Sequence, residues 1–145
     1  MSTKILNAIT RSLFDTNMVS SRIMLAIAEM LWAVLLFWPG DTFGRPTYTV
    51  MSHIMNEEAW ASVFLLSSIT QATIILRHEF HCWAARYFAA WNAVLWCVVV
   101  VSMLLSVYPP PAAISGEITL AIAAFWIWLR PFIILRGIEY ARAEV

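Results

Sequence analysis

Four long apolar blocks dominate the pattern of hydrophobic and polar positions along the chain. They cover residues 23–39, 59–76, 87–108 and 118–135, and polar or turn-forming segments separate them. Each block is about 17–22 residues long, which is enough for a helix to cross a hydrocarbon core of about 30 Å. The pattern therefore predicts an all-α polytopic membrane protein whose four transmembrane helices pack as a bundle.

The segments between and around the blocks set the domain boundaries. We expect residues 1–22 to form a cytoplasmic N-terminal segment, 23–135 a transmembrane domain, and 136–145 a short cytoplasmic tail. Three consecutive prolines at 109–111 end the third block, because proline cannot continue a helix. Apolar residues recur every four positions at Ile5, Ile9 and Leu13. Residues 3–14 are therefore either an amphipathic helix on the inner leaflet or a disordered polar tail.

The basic residues predict the orientation of the helices. The first connection holds one basic residue, Arg45, and the third connection holds none. Apart from Arg130, the others lie before the first block, between the second and third, or after the fourth: Lys4, Arg11, Arg22, Arg77, Arg86, Arg136 and Arg142. Because basic loops stay in the cytoplasm, both termini are predicted to be cytoplasmic. We expect a bacterial inner membrane, with the protein encoded either by the bacterium or by a phage in its host.

Composition agrees with a membrane protein and excludes several classes of function. The chain is 61% hydrophobic and 12% charged, against about 25% charged residues in an ordinary soluble domain. Basic and acidic residues balance at nine each, so no basic surface suggests a nucleic-acid partner. The two cysteines, Cys82 and Cys97, fit neither a disulfide framework nor a zinc-finger spacing. No cleavage site follows the first block, so we interpret it as a retained span.

The stretch RHEFHCWAAR, residues 77–86, resembles a metal motif but departs from its spacing. A zinc protease places two histidines four residues apart with a glutamate between them, whereas His78 and His81 are three apart. We interpret the stretch as a polar turn at the cytoplasmic surface, without metal or catalytic residues. The remaining histidine, His53, also lies outside the blocks, so the spans offer no pair of histidines to ligate haem. We therefore expect no cofactor.

Each apolar block carries one strongly polar residue. These are Glu29, Gln71, Asn92 and Arg130, and counting from the predicted inner ends places all four roughly 7–9 Å inside the cytoplasmic boundary. Because polar side chains at membrane depth face the interior of the helix bundle and pair, we expect one intramembrane polar layer in which Glu29 pairs with Arg130. The layer is either a static clasp or a functional site. In the second case, His78 is a candidate proton-accepting group at its cytoplasmic mouth.

These observations favour a non-enzymatic function. Short loops, stripes of small residues and the absence of a catalytic set indicate a small membrane protein that acts through helix–helix association. Its partners would be the bilayer and either further copies of itself or another membrane protein, as a subunit or modulator of a complex. The alternative is a pore-forming, holin-like or ion- or proton-conducting protein, which the polar layer would serve.

Overall fold

The fold is all-helical in the part of the chain that the structure describes, as the sequence predicts. The structure is a computed structural model that describes the backbone of residues 3–77, 83–109, 112 and 114–143, and the side chains of 19–77, 83–109, 112 and 114–130. One 3-10 helix, Pro46–Tyr48, precedes α2. The five α-helices are α1 (Thr3–Phe37), α2 (Thr49–Ile54), α3 (Glu57–Leu76), α4 (Trp83–Ser106) and α5 (Ile114–Ala143).

Three of these helices are long and apolar enough to cross a membrane, counting only the described residues. They are α3, α4 and the part of α1 that spans Val19–Phe37. By length and composition, these three helices agree with the predicted transmembrane class. The fourth predicted block lies in α5, whose side chains are described only as far as Arg130.

Helix α1 crosses the predicted boundary between the N-terminal segment and the first span without a break. It runs continuously from Thr3 to Phe37, and the candidate span found among the described residues, Val19–Phe37, includes Arg22. Arg22 therefore lies inside the apolar stretch instead of in front of it. The side chains of residues 3–14 and 136–145, and all of His78 and His81, lie outside the described residues.

The helices pack in two close pairs. α1 packs along α3, α4 packs along α5, and α1 also contacts α5. Small residues at the contacts let the helices approach closely. Between α1 and α3, the Ser68 hydroxyl donates to the Ala26 carbonyl at 2.8 Å. On α4, Ala89 and Ala93 are buried. Larger aromatic side chains fill the space between the two pairs.

The connection between α1 and α3 folds back over one end of the helices as a compact cap, defined here as residues 46–54. Met51 is fully buried, and its carbonyl accepts a hydrogen bond from the Trp60 indole at 3.0 Å. The Val50 amide donates to the Ser106 hydroxyl at 3.1 Å, which ties the cap to the end of α4. The sequence pattern did not predict this folding, since the connection lacks a long apolar run.

Polar side chains organise the turns that flank the cap. The Asn56 side chain accepts a hydrogen bond from the Ala59 amide at 2.9 Å and so caps the start of α3. Glu57 accepts from the Thr42 amide at 3.2 Å, which holds the loop after α1 against α3. Burial, and then the charge of Glu117, raises the pKa of Tyr48 above its ordinary value, so the cap also approaches the start of α5.

Candidate functional site

All four predicted intramembrane polar residues are buried. Glu29, Gln71 and Asn92 are 0% exposed and Arg130 is 3% exposed. None of them points to the lipid-facing surface, which agrees with the high free energy of a polar group in hydrocarbon. The part of the helix bundle farther from the cap therefore has polar side chains in its interior, and its outer surface is apolar.

A fifth buried polar residue, Arg22, organises one end of this interior. Its Nη1 donates to the Gln71 Oε1 at 2.9 Å, and its Nη2 donates to the Ala85 carbonyl at 3.4 Å. The Arg22 side chain is 1% exposed. One guanidinium group thus joins α1, α3 and α4. We refer to Arg22, Gln71 and the Ala85 carbonyl as the guanidinium clasp.

Sequence reasoning missed Arg22 because it treated this residue as one of the charges that set the orientation. A usable signal was present nonetheless. Arg22 precedes Glu29 by seven residues, which is two helical turns, so both side chains lie on the same face of α1. An arginine on the buried face of a span is expected to find an acceptor inside the protein.

The polar residues form a column rather than a single layer. Gln71 binds Arg22, which precedes Glu29 by two turns on α1. Ser68, one turn from Gln71, binds Ala26, so Gln71 lies nearer the start of α1 than Glu29 does. The hydrogen bond expected between Glu29 and Arg130 is absent, since neither Glu29 oxygen has a hydrogen-bond partner among the described residues.

Serine and tryptophan side chains occupy the level between the guanidinium clasp and Glu29. The Trp91 indole donates to the Ser67 hydroxyl at 3.2 Å, which links α4 to α3. The neighbouring Ser68 links α3 to α1 through the Ala26 carbonyl. Both serines are buried. Polar contacts therefore continue from the clasp toward Glu29.

Glu29 itself is the least satisfied polar residue of this column. The Trp96 indole lies within reach of its carboxyl group, but neither side chain makes a hydrogen bond of good geometry. Asn92 lies one turn from Trp96 on the same face of α4, and both atoms of its amide group also lack hydrogen-bond partners. α1 and α4 thus contribute three buried polar side chains with open hydrogen-bonding capacity, of which Glu29 and Trp96 lie within reach of each other.

An aromatic cluster closes the column on the side of the cap. The Phe64 ring lies 5.3 Å from Trp32, 5.6 Å from Trp96 and 6.0 Å from Trp60, measured between centroids. Trp32 also contacts Trp96 at 6.3 Å and the cap residue Tyr48 at 6.0 Å. These rings come from α1, α3 and α4 and fill the interior at that level.

Two halves of the protein differ in the side chains that fill their interior. The polar half contains 19–29 of α1, 65–76 of α3 and 83–93 of α4. The cap half contains 32–37 of α1, 57–64 of α3, 96–106 of α4 and the cap itself. Among the described residues of the cap half, Ser102 is the one polar residue that is buried, whereas the polar half buries several.

The outer surface carries a groove between α4 and α5. It encloses about 510 Å³, and its lining is almost wholly apolar. Cys97 lines it and is an exposed, free cysteine. No group of three or more histidine, cysteine, aspartate or glutamate side chains in the described residues could hold a metal ion.

Comparison of the chain with protein-family models, with curated proteins and with solved structures gives no match. The groove and the polar column are the features of the described residues that bear on function.

Proposed function

We propose that this chain is a small integral membrane protein that crosses the bilayer four times and acts by association, with α4 packing against α4 of a second copy. The observation that carries the proposal is the α4 groove. Along its floor, Ala90, Val94, Cys97 and Val101 recur at helical spacing and line the groove. These residues are small or β-branched, so a neighbouring helix can approach closely.

The physical reason for association is shape rather than hydrophobicity. Lipid tails are as apolar as the groove, so burying it gains little from the hydrophobic effect. A helix that fits the groove gains van der Waals contacts that disordered acyl chains make less completely. Because Ala90, Val94, Cys97 and Val101 lie on one helix, two copies related by a two-fold axis would present these same residues to each other.

Cys97 permits a direct test of this interface. In a Cys82→Ser background, mild oxidation of membranes is expected to link two copies through Cys97, because residues on a two-fold interface approach their own equivalents. The matched control carries Val34→Cys with both native cysteines replaced by serine. Val34 is 50% exposed on α1 and lies outside the groove. Equal cross-linking of the control would indicate random collision and contradict the proposal.

Filling the groove gives a second test that does not depend on oxidation. Val94→Trp places a large ring where the partner helix would pack, so the dimer is expected to dissociate in mild detergent. Leu66→Trp is the control, because Leu66 is 65% exposed on α3. The oligomeric state is read by light scattering of the purified protein. A Val94→Trp variant that stays dimeric would place the interface elsewhere.

The number of spans and the orientation are part of the proposal. The extended apolar pattern of α5 and the uneven distribution of basic residues support a fourth span and cytoplasmic termini. In a cysteine-free background, Gly40→Cys is expected to react with an impermeant thiol reagent from outside, whereas Ala143→Cys is not. Gly40 is exposed with open space around an added Cβ. The reverse labelling pattern would invert the orientation.

Ion conduction is the alternative function. The polar column supports it, but the aromatic cluster argues against an open path through a single chain, because four rings fill the interior above Glu29. A conducting path would instead need several copies. Flux of small ions from liposomes that contain the cross-linked Cys97 dimer would favour this alternative.

A further inference from the structure

Glu29 combines complete burial with an absence of hydrogen bonds. Its side chain is 0% exposed, and neither carboxyl oxygen has a hydrogen-bond partner among the described residues. A buried carboxylate without compensating donors is strongly unfavourable. Buried polar groups in native proteins almost always have a hydrogen-bond partner, so we expect Glu29 to bind a ligand that the described side chains do not supply.

Trp96 beside Glu29, and Asn92 one turn before Trp96 on α4, carry groups that suit an exchangeable proton. The Trp96 indole N–H and the Asn92 amide N–H are donors that can stabilise an ionised carboxylate, and the Asn92 carbonyl oxygen can accept from a protonated one. Both side chains are 0% exposed, and all three of these atoms lack hydrogen-bond partners. The surroundings can therefore satisfy either protonation state after small rotations of the side chains.

Among the residues whose side chains the structure describes, few charged groups face this region. Arg22 lies two turns away on α1 and is bound to Gln71 and Ala85. In the described part of α5, Arg130 is the charged residue that is buried. The buried faces of α3 and α4, as described, carry no titratable group. Glu29 is thus the single buried acid in the described part of the chain, with no second carboxyl group to share its proton.

The approach to Glu29 is one-sided. On one side lie the aromatic rings of Trp32, Phe64 and Trp96, which exclude water. On the other side lie Ser67, Ser68 and the guanidinium clasp, which end near the connection between α3 and α4. Polar side chains and small residues are the surroundings in which internal water is found, whereas an aromatic interior stays dry.

We propose that the Glu29 carboxyl group, together with Asn92 and Trp96, is a reversible proton-binding site that exchanges with water only at the end of the protein where α3 and α4 are connected. On release, the O–H bond of the carboxyl group breaks and the proton passes to a water molecule in the polar half. The carboxylate oxygens then accept hydrogen bonds from the Trp96 indole and the Asn92 amide. The inference does not depend on the proposed dimer.

Infrared difference spectroscopy tests this site on the full chain in lipid. Between about pH 5 and about pH 9, a range that covers the shifts that burial imposes on a carboxyl group, the band of a protonated carboxyl is expected to disappear. Glu29→Gln should remove that band, and Glu58→Gln, on an exposed residue, should leave it unchanged. A band that persists in Glu29→Gln, or no pH-dependent band in the wild type, overturns the proposal.

A chemical test keeps the proposal falsifiable if Glu29→Gln fails to fold. A membrane-soluble carbodiimide reacts with protonated carboxyl groups, and mass spectrometry locates the modified residue. In the wild type, modification of Glu29 is expected to fall at least about tenfold as the pH is raised across the same range. Protection by added Na⁺ at constant pH would identify a metal cation as the ligand and overturn the proton assignment. Modification that does not depend on pH would overturn it as well.

Discussion

The polar half and the cap half of this protein contain parts of the same three helices but hold them together differently. In the polar half, hydrogen bonds cross between helices, as in the guanidinium clasp and in the contact of Trp91 with Ser67. In the cap half, large rings interdigitate, and the Trp60 indole bonds to the cap through the Met51 carbonyl. Directional bonds fix which residues face each other, whereas ring packing fills volume.

The two halves therefore contribute differently to the free energy of unfolding and to the choice of helix register. Inside a bilayer, contacts between rings gain dispersion energy that scales with the number of atoms in contact. Interhelical hydrogen bonds in membranes contribute only about 0.6 kcal/mol on average, and more when one partner is charged. We therefore expect the cap half to dominate the free energy of unfolding, and the polar half to determine the helix register and to contain the exchangeable group.

The largest effect is expected from Phe64→Ala, which empties the centre of the aromatic cluster. Phe64 is fully buried and contacts three other rings. We expect a loss of about 3 kcal/mol in the free energy of unfolding, at the lower end of the range for buried phenylalanines, because lipid solvates the ring when helices separate. Unfolding in mixed micelles measures it. The control Leu66→Ala, on an exposed residue, should lose far less, and equal losses would erase the distinction between the halves.

The next effect concerns the guanidinium clasp. Gln71→Ala removes the acceptor at 2.9 Å from Arg22 and should lower the free energy of unfolding by about 2 kcal/mol, since the donor is charged and buried. A double-mutant cycle with Arg22→Met should give a coupling energy of about 1–2 kcal/mol. Thr73→Ala is the control, because the Thr73 hydroxyl is exposed and bonds within its own helix. A coupling energy near zero would mean that the clasp is replaceable by packing alone.

A smaller effect is expected where the cap meets α3. Trp60→Phe keeps most of the buried ring but deletes the indole donor to the Met51 carbonyl. The loss should be about 1 kcal/mol, the typical net contribution of one neutral hydrogen bond. It should appear mainly as faster hydrogen exchange in residues 49–54, because α2 is held by few bonds. Uniformly faster exchange in α4 as well would show that the cap does not open separately.

The smallest effect is expected for the pair that the sequence suggested. Glu29→Gln and Arg130→Gln should be nearly additive, with a coupling energy below about 0.5 kcal/mol, because neither Glu29 oxygen makes a hydrogen bond. The cycle is measured in the same micelles as the clasp. A coupling energy as large as that between Arg22 and Gln71 would instead support an ion pair in the polar half and unite the polar residues into one layer.

The inward position of the polar residues could be predicted from the sequence. Glu29, Gln71, Asn92 and Arg130 stand out within apolar blocks, and each of them is buried. The pattern is sufficient for this inference because a polar group in hydrocarbon is unfavourable wherever it lies along a span. Only the composition of each helix is needed, and no knowledge of its neighbours.

The pairing of those residues could not be predicted in the same way. Hydropathy locates the end of a span only to within a few residues, and one turn shifts a side chain by about 5.4 Å, more than the length of a hydrogen bond. The count along the predicted spans therefore placed Gln71 level with Glu29 and did not identify Arg22 as the partner of Gln71. His78, the predicted mouth of the layer, lies outside the described residues and stays a prediction.

By itself the sequence determined that the chain is helical, that at least three of its helices suit a membrane, and that its rare polar residues face inward. These properties follow from free energies of transfer that act residue by residue. Only the tertiary structure decided that Arg22 binds Gln71, that four rings from α1, α3 and α4 close the column, and that residues 46–54 fold back as a cap. Those contacts depend on the axial offset and rotation of one helix against another, which no single helix encodes.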